Sequence, residues 1–180
     1  MRYTEYSDLK KCKGGLGNCS FDSEHNERMC ESDLQVINFD KVKTSYCNQR
    51  GLTEEKAHSV DAIVNGPDDY TCMIEFKNGK IKNARENVQL KLRDSILILC
   101  DLCHCNISNT RENLIFVLVY NDERSNLGWE TKRYIGMKTL STGPVKFWDL
   151  GKAEGFLVRK VMVLSKEQFS EKFLPKLREA

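Results

Sequence analysis

Residues 60–80 read VDAIVNGPDDYTCMIEFKNGK, and this stretch decides the fold. Two runs of period-two alternation flank an Asn-Gly-Pro-Asp-Asp turn, and Asn78-Gly79 supplies a second turn signal, so the reading is a β-hairpin. Side chains alternate across a strand, which puts Met73, Glu75 and Lys77 on one face and Cys72, Ile74 and Phe76 on the other. A loop centred on Pro67 sets Asp61 opposite Met73 and Ser59 opposite Glu75, so Asp61 and Glu75 become diagonal neighbours. Ile63 shares their face, while Val60, Ala62 and Val64 join the opposite, wholly apolar one. A sheet that is apolar on both sides is covered on both sides.

Two carboxylates ~4 Å apart repel by about 4 kcal/mol at an effective dielectric of 20, so the pair calls for a cation. Lys77 or a divalent metal supplies it. Mg²⁺ takes a few carboxylates plus waters and leaves positions open for phosphate oxygens. Such an ion polarises a phosphoryl group and acidifies bound water, while a lysine two residues from a ligand orients that water and offsets charge. Asp68 is the weaker ligand candidate because it sits in the turn. The plain alternative is an amphipathic strand whose Glu75 and Lys77 face water.

The pattern resembles the PD-(D/E)xK nuclease superfamily, with Asp61 matching the motif's Asp and Glu75-Phe76-Lys77 its (D/E)xK, over residues 34–120. The resemblance implies an α/β fold with a restriction-endonuclease-like mixed central β-sheet flanked by α-helices on both faces. It implies a metal-dependent nuclease that uses Mg²⁺ or Mn²⁺ to hydrolyse phosphodiester bonds of nucleic acid, DNA ahead of RNA. Asp61 and Glu75 would hold the metal and Lys77 would act beside them. Members often carry Gln or Lys on the helix after the motif strand, and here that helix offers Gln89 as the supporting catalytic residue, with Lys91 and Arg93 nearby. Asp40, Glu54 and Glu55 compete for the place of a third acidic ligand. The alternative within the same fold is a noncatalytic domain that binds nucleic acid or a protein partner.

A chain of 180 residues with 40% hydrophobic content builds one substantial core. Its 28 basic and 26 acidic residues leave a net charge of only +2, so no global field recruits a polyanion. A local rim does that work: Lys80, Lys82, Arg85, Lys91 and Arg93 are the expected nucleic-acid-binding residues. A homodimer is compatible with this reading. No run has the length of a signal peptide or a membrane span, so the expectation is a cytoplasmic chain with no membrane partner. The eight cysteines are then expected to stay reduced. Cys100, Cys103 and Cys105 beside His104 carry donors suited to zinc or an iron–sulfur centre, although Cys100 and Cys103 fall on the apolar side of a helix, where buried thiols are ordinary. His58, three residues before Asp61, lies near the proposed site.

Residues 1–32 lack periodicity and read as an irregular N-terminal extension, leaving 33–180 as a single domain. Phe39, Val42 and Tyr46 predict a helix over residues 33–47, ended by Gly51. Val88, Leu92, Ser95, Ile96, Leu99 and Cys103 form the inward stripe of a helix over 85–103. LIFVLVY, residues 114–120, is a strand buried on both faces. Residues 121–151 read as loops or a weak strand, with Trp129, Phe147 and Trp148 as aromatics that stack bases or anchor loops. A strand over 156–164 leads into a helix opened by a Ser165/Gln168 capping box with a Leu164/Phe169 staple.

Overall fold

All seven residues of the strand Leu114–Tyr120 are buried, and the other elements are arranged around it. The computed structural model describes residues 3–81, 84–139 and 147–180. Six strands form one sheet in the spatial order β1 (Lys13–Gly15), β4 (Gln35–Asn38), β5 (Ala62–Asn65), β6 (Thr71–Lys77), β7 (Leu114–Tyr120) and β8 (Lys160–Ser165). The first four pair antiparallel, while β6–β7 and β7–β8 pair parallel, so the sheet is mixed. A separate two-stranded hairpin joins β2 (Phe21–Asp22) to β3 (Glu27–Arg28).

Short helices α1 (Ser7–Lys10) and α2 (Leu16–Cys19) lie in the amino-terminal segment, and α3 (Phe39–Gln49) follows β4. The crossover from β6 to β7 is made by α4 (Arg85–Leu102) and α5 (Ile107–Asn113), and α6 (Trp129–Thr139) lies between β7 and β8. The chain closes with α7 (Lys166–Gln168), a π-helical turn over Phe169–Phe173 and α8 (Leu174–Arg178). Alternation sorts the sheet into two cores. Ile63, Met73, Phe116, Leu118, Val161 and Val163 pack against Val88, Leu92 and Leu99 of α4 and Phe39 and Val42 of α3. Cys72, Ile74, Phe76, Val117, Val119 and Leu164 pack against Phe169, Phe173 and Leu177 of the final helical run. Helices therefore cover both faces.

Several expectations are corrected. Residues 33–38 are not helical: Val36 and Ile37 are buried on opposite faces of β4, and α3 begins only at Phe39, where the Asn38 side chain caps it by accepting from Lys41 N at 2.9 Å. The hairpin register pairs Ile63 with Met73 and Ala62 with Ile74, two residues away from a loop centred on Pro67. Asp68 and Asp69 both take positive φ, which lengthens the turn and centres it on Asp68. The chain also bends at Asp61, so Val60 joins the α3/α4 core rather than continuing the alternation of β5.

Residues 121–151 contain a helix, α6, and the strand expected over 156–164 spans Lys160–Ser165, with Phe156 exposed in the turn before it. Trp129 is exposed, while the side chains of Phe147 and Trp148 lie outside the described ones. The capping box and buried staple residues stand as expected.

The largest difference concerns residues 1–32. Tyr3, Leu9, Leu16, Met29 and Cys30 are buried, and β1 extends the sheet by pairing with β4. Two- and three-residue strands carry too little periodicity to be read. At Gly17, a Cβ would meet Ser32 O at 2.9 Å and Cys30 O at 3.1 Å, both backbone atoms that cannot step aside. Gly17→Ala is therefore expected to cost about 1–3 kcal/mol. The check is limited proteolysis: cleavage within residues 16–32 should accelerate well before the α4–β7 region opens.

Candidate active site

β6 delivers Glu75 and Lys77 to the same face, because they are two residues apart on a strand. Glu75 is fully buried, flanked in the sheet by Leu118 of β7 and approached from the other side by Asp61 at the bend before β5. Asp61 is fixed through its backbone, donating from N to Ile74 O at 3.1 Å and accepting at O from Phe39 N at 3.1 Å. Its Oδ2 accepts from Phe76 N at 2.6 Å, which ties the aspartate to the middle residue of Glu-Phe-Lys.

Lys91 of α4 joins the two carboxylates. Its Nζ lies 2.9 and 3.0 Å from the Glu75 oxygens and 3.4 Å from Asp61 Oδ1. Lys77 Nζ reaches Glu75 Oε1 at 3.0 Å and donates to Asn87 Oδ1 at 3.2 Å. Asn87 and Lys91 are four residues apart, so one row of α4 supplies both contacts. Burial, then the charge of Glu75, lifts the Asp61 carboxyl to about 7, against the pull of Lys91. Lys91 holds its proton more tightly than usual: burial works against the charge, but Glu75 and Asp61 outweigh it.

Asp61 and Lys77 line a cleft of about 500 Å³. One wall comes from the amino-terminal segment, with Cys19, Phe21, Asp22 and Glu24, and the other from the β6–α4 connection, with Asn78, Gly79 and Lys80. The walls meet at Asn78, whose Nδ2 donates to Glu27 Oε2 at 3.4 Å and whose Oδ1 accepts from Asn121 Nδ2 at 2.7 Å. Glu27 also accepts from Lys166 Nζ at 2.5 Å and pairs with Arg124 at 3.5 Å, contacts led by Lys166 that hold its carboxyl below the usual range. The hairpin is thus fastened across the carboxyl ends of β6, β7 and β8, the end at which ligands enter open α/β sheets. The Cys19 thiol is pushed up to about 11 by burial, then by the charge of Asp61, so it is no nucleophile at neutral pH.

The other expected residues are dispersed. Gln89 does not face the carboxylates: two residues along a helix turn it about 200° from Lys91, and it lines a second cleft of about 280 Å³ with Arg85, Arg93, Lys152 and Phe156. Lys91, expected on the basic rim, lies instead at the carboxylates. Arg85 pairs with Asp149, Lys80 is exposed at the main cleft, and Lys82 lies outside the described residues. Of the acids considered as a third ligand, Asp40 accepts from Ser59 Oγ at 2.5 Å and its charge acts on Asp61. Glu54 is taken up by Thr44 at 2.8 Å, and Glu55 is exposed. His58 turns to Asp94, with Nδ1 to Oδ2 at 2.9 Å.

Two hard carboxylate donors are of the kind that Mg²⁺ or Mn²⁺ takes. Among the described residues, one group brings three potential donors within 4.8 Å of one another, Asp22, Glu24 and His25 in the hairpin loop. Within the turn Glu24 N reaches Asp22 Oδ1 at 2.9 Å and His25 Nδ1 reaches Asp22 Oδ2 at 2.7 Å, and Asn78 also bonds to Asp22. Cys100, Cys103 and Cys105 form no such group. Compared with protein-family models, curated proteins and solved structures, the chain matches none.

Stability held by the proton on Asp61 is complete below about pH 4, the free-carboxyl value, and is lost as pH rises through about 7. Asp61→Asn should therefore match the parent in chemical unfolding below about pH 4, pull ahead of it as pH rises toward 7, and exceed it by about 4 kcal/mol at pH 8. Lys91→Met should cost about 3–5 kcal/mol, since it strips a buried carboxylate of its main partner. The double variant Glu75→Gln/Lys91→Met should recover part of that loss in the same measurement.

Proposed function

We propose that this chain is a metal-dependent nuclease of the PD-(D/E)xK type, hydrolysing phosphodiester bonds of nucleic acid on a restriction-endonuclease-like core. The observation that carries the reading is the meeting of Asp61, from the bend before β5, and Glu75 of β6 around one ammonium, with Lys77 on the same glutamate and lining a cleft. The resemblance calls for Gln or Lys on the helix after the motif strand, and Lys91 meets it in place of Gln89.

Asp61 and Glu75 would hold Mg²⁺ or Mn²⁺. When bound, the ion polarises the phosphoryl group and acidifies water. Lys77 lines the cleft and places its ammonium within hydrogen-bond reach of Glu75, so it can orient water beside the metal ligands and offset charge gathering on phosphate. Lys91 donates to both oxygens of the buried Glu75 and is a positioning residue. Lys80 is placed to meet an adjacent phosphate. The noncatalytic reading draws on the same cluster: two lysines already neutralise two carboxylates, which is a stable arrangement without any ion.

The test is cleavage of linear, circular and single-stranded DNA and of RNA with Mg²⁺ or Mn²⁺. Chelation should abolish cutting, and Glu75→Gln and Lys77→Ala should each lower its rate by about 10²–10⁴. Because Asp61 must lose its proton to bind metal, activity should fall about tenfold per pH unit below 7. Binding without metal-dependent cutting would instead establish the noncatalytic form.

A further inference from the structure

Phe21 is 47% exposed, yet it is no isolated surface aromatic, because it lines the same cleft as Asp61, Lys77 and Lys80. Its cross-strand partner Arg28 places a guanidinium 5.9 Å from the ring centroid, which steadies the ring from the hairpin side. The wall is built rather than loosely draped. Ser20 Oγ accepts from Cys30 N at 3.0 Å and donates to Gly17 O at 2.9 Å, Met29 N donates to Ser20 O at 3.0 Å, and Glu27 is held by Lys166, Arg124 and Asn78.

The two carboxylates are withdrawn from the surface of this recess. Glu75 exposes nothing, and the Asp61 side chain only 15%, so a phosphate must descend between the walls to approach them. A space of about 500 Å³ is that of a small-ligand pocket. A duplex keeps its bases stacked and paired, so none is free to lie on Phe21. An unpaired strand offers them, since its bases can splay outward and stack on a ring.

Charge is also divided across the cleft. Asp22 and Glu24 stand beside Phe21 on the hairpin wall, while Lys77 and Lys80 belong to the β6 side. The Asp22 oxygens are taken by Glu24 N and His25 Nδ1, so it is the lysines that draw the phosphate backbone to the β6 side and leave the base to Phe21.

We propose that the β2–β3 hairpin, with Phe21 as a stacking surface, restricts this cleft to unpaired nucleotides, so that the substrate is single-stranded nucleic acid or an unpaired end. This inference rests on the hydrolase reading for the chemistry, but its binding selectivity is measured apart from cutting.

The experiment is fluorescence anisotropy with the full chain and divalent ions chelated. The probes are a labelled single-stranded DNA, the RNA of the same sequence, the blunt DNA duplex and that duplex with an unpaired tail. Single strands and the tailed duplex should bind at least about tenfold more tightly than the blunt duplex. Phe21→Ala should weaken those complexes about 5- to 150-fold, the equivalent of about 1–3 kcal/mol of lost stacking, while Phe21→Trp should bind as the parent does. An unchanged unfolding midpoint for Phe21→Ala ties the loss to the ring. Equal binding of blunt duplex and single strand, or an Ala variant that binds like the parent, overturns the inference. Cutting assays then separate the two readings. Blunt duplex cut as fast as single strand removes this inference and leaves the hydrolase. The expected binding pattern without metal-dependent cutting keeps the stacking wall and removes the hydrolase.

Discussion

Glu75 stands near the middle of the sheet with none of its surface exposed, and a carboxylate there is tolerated only with charged partners and satisfied oxygens. Lys91 and Lys77 provide both. The requirement reaches well beyond the three side chains, because Lys91 can arrive only if α4 presents one particular row to the hairpin. Along that row Asn87 meets Lys77, Lys91 meets Glu75 and Asp61, Asp94 meets His58, and Ser95 Oγ accepts from Val60 N at 2.9 Å. Val88, Leu92 and Leu99 supply the apolar packing of the helix, and these polar contacts set its rotation about its own axis. The bend at Asp61 belongs to the same arrangement, since it brings both Val60 and the aspartate toward α4.

The two faces of the sheet consequently have different characters. The face under the final helical run is apolar across β5, β6 and β7 and includes the edge-to-face pair Phe76–Phe169, with ring centroids 5.5 Å apart. The face under α4 gives up part of that packing for a polar seam that opens into a cleft. Local departures from ideal packing are expected where a fold carries chemistry. Here the departure is confined to one end of one face, while the opposite face and β7 supply the burial that keeps the sheet together.

Much of this was legible in the residues. The unbroken apolar run of β7, the stripe of α4, the division of Glu75 and Lys77 from Ile74 and Phe76, and the Ser165 cap all follow from period and cap chemistry, which act locally. What escaped was set by geometry at longer range. Gln89 and Lys91 flank the same buried stripe, and nothing in the stripe says which flank faces the hairpin. Two consecutive aspartates at positive φ moved the register, a conformation the turn composition permits without requiring. The amino-terminal wall was unreadable for a different reason: its strands are two or three residues long, and its burial comes from scattered positions such as Tyr3, Leu9 and Leu16 that obey no period.

The fastening of the hairpin has a temporal side. Lys166, which grips Glu27 at the ends of the parallel strands, follows it by 139 positions. Nascent chains fold progressively as they emerge from a ribosome, yet the hairpin has no completed seat until β8 and the turn after it have been made. A molecule synthesised only as far as β7 would hold its acidic pair without a fastened partition beside it, so maturation of the cavity waits on β8.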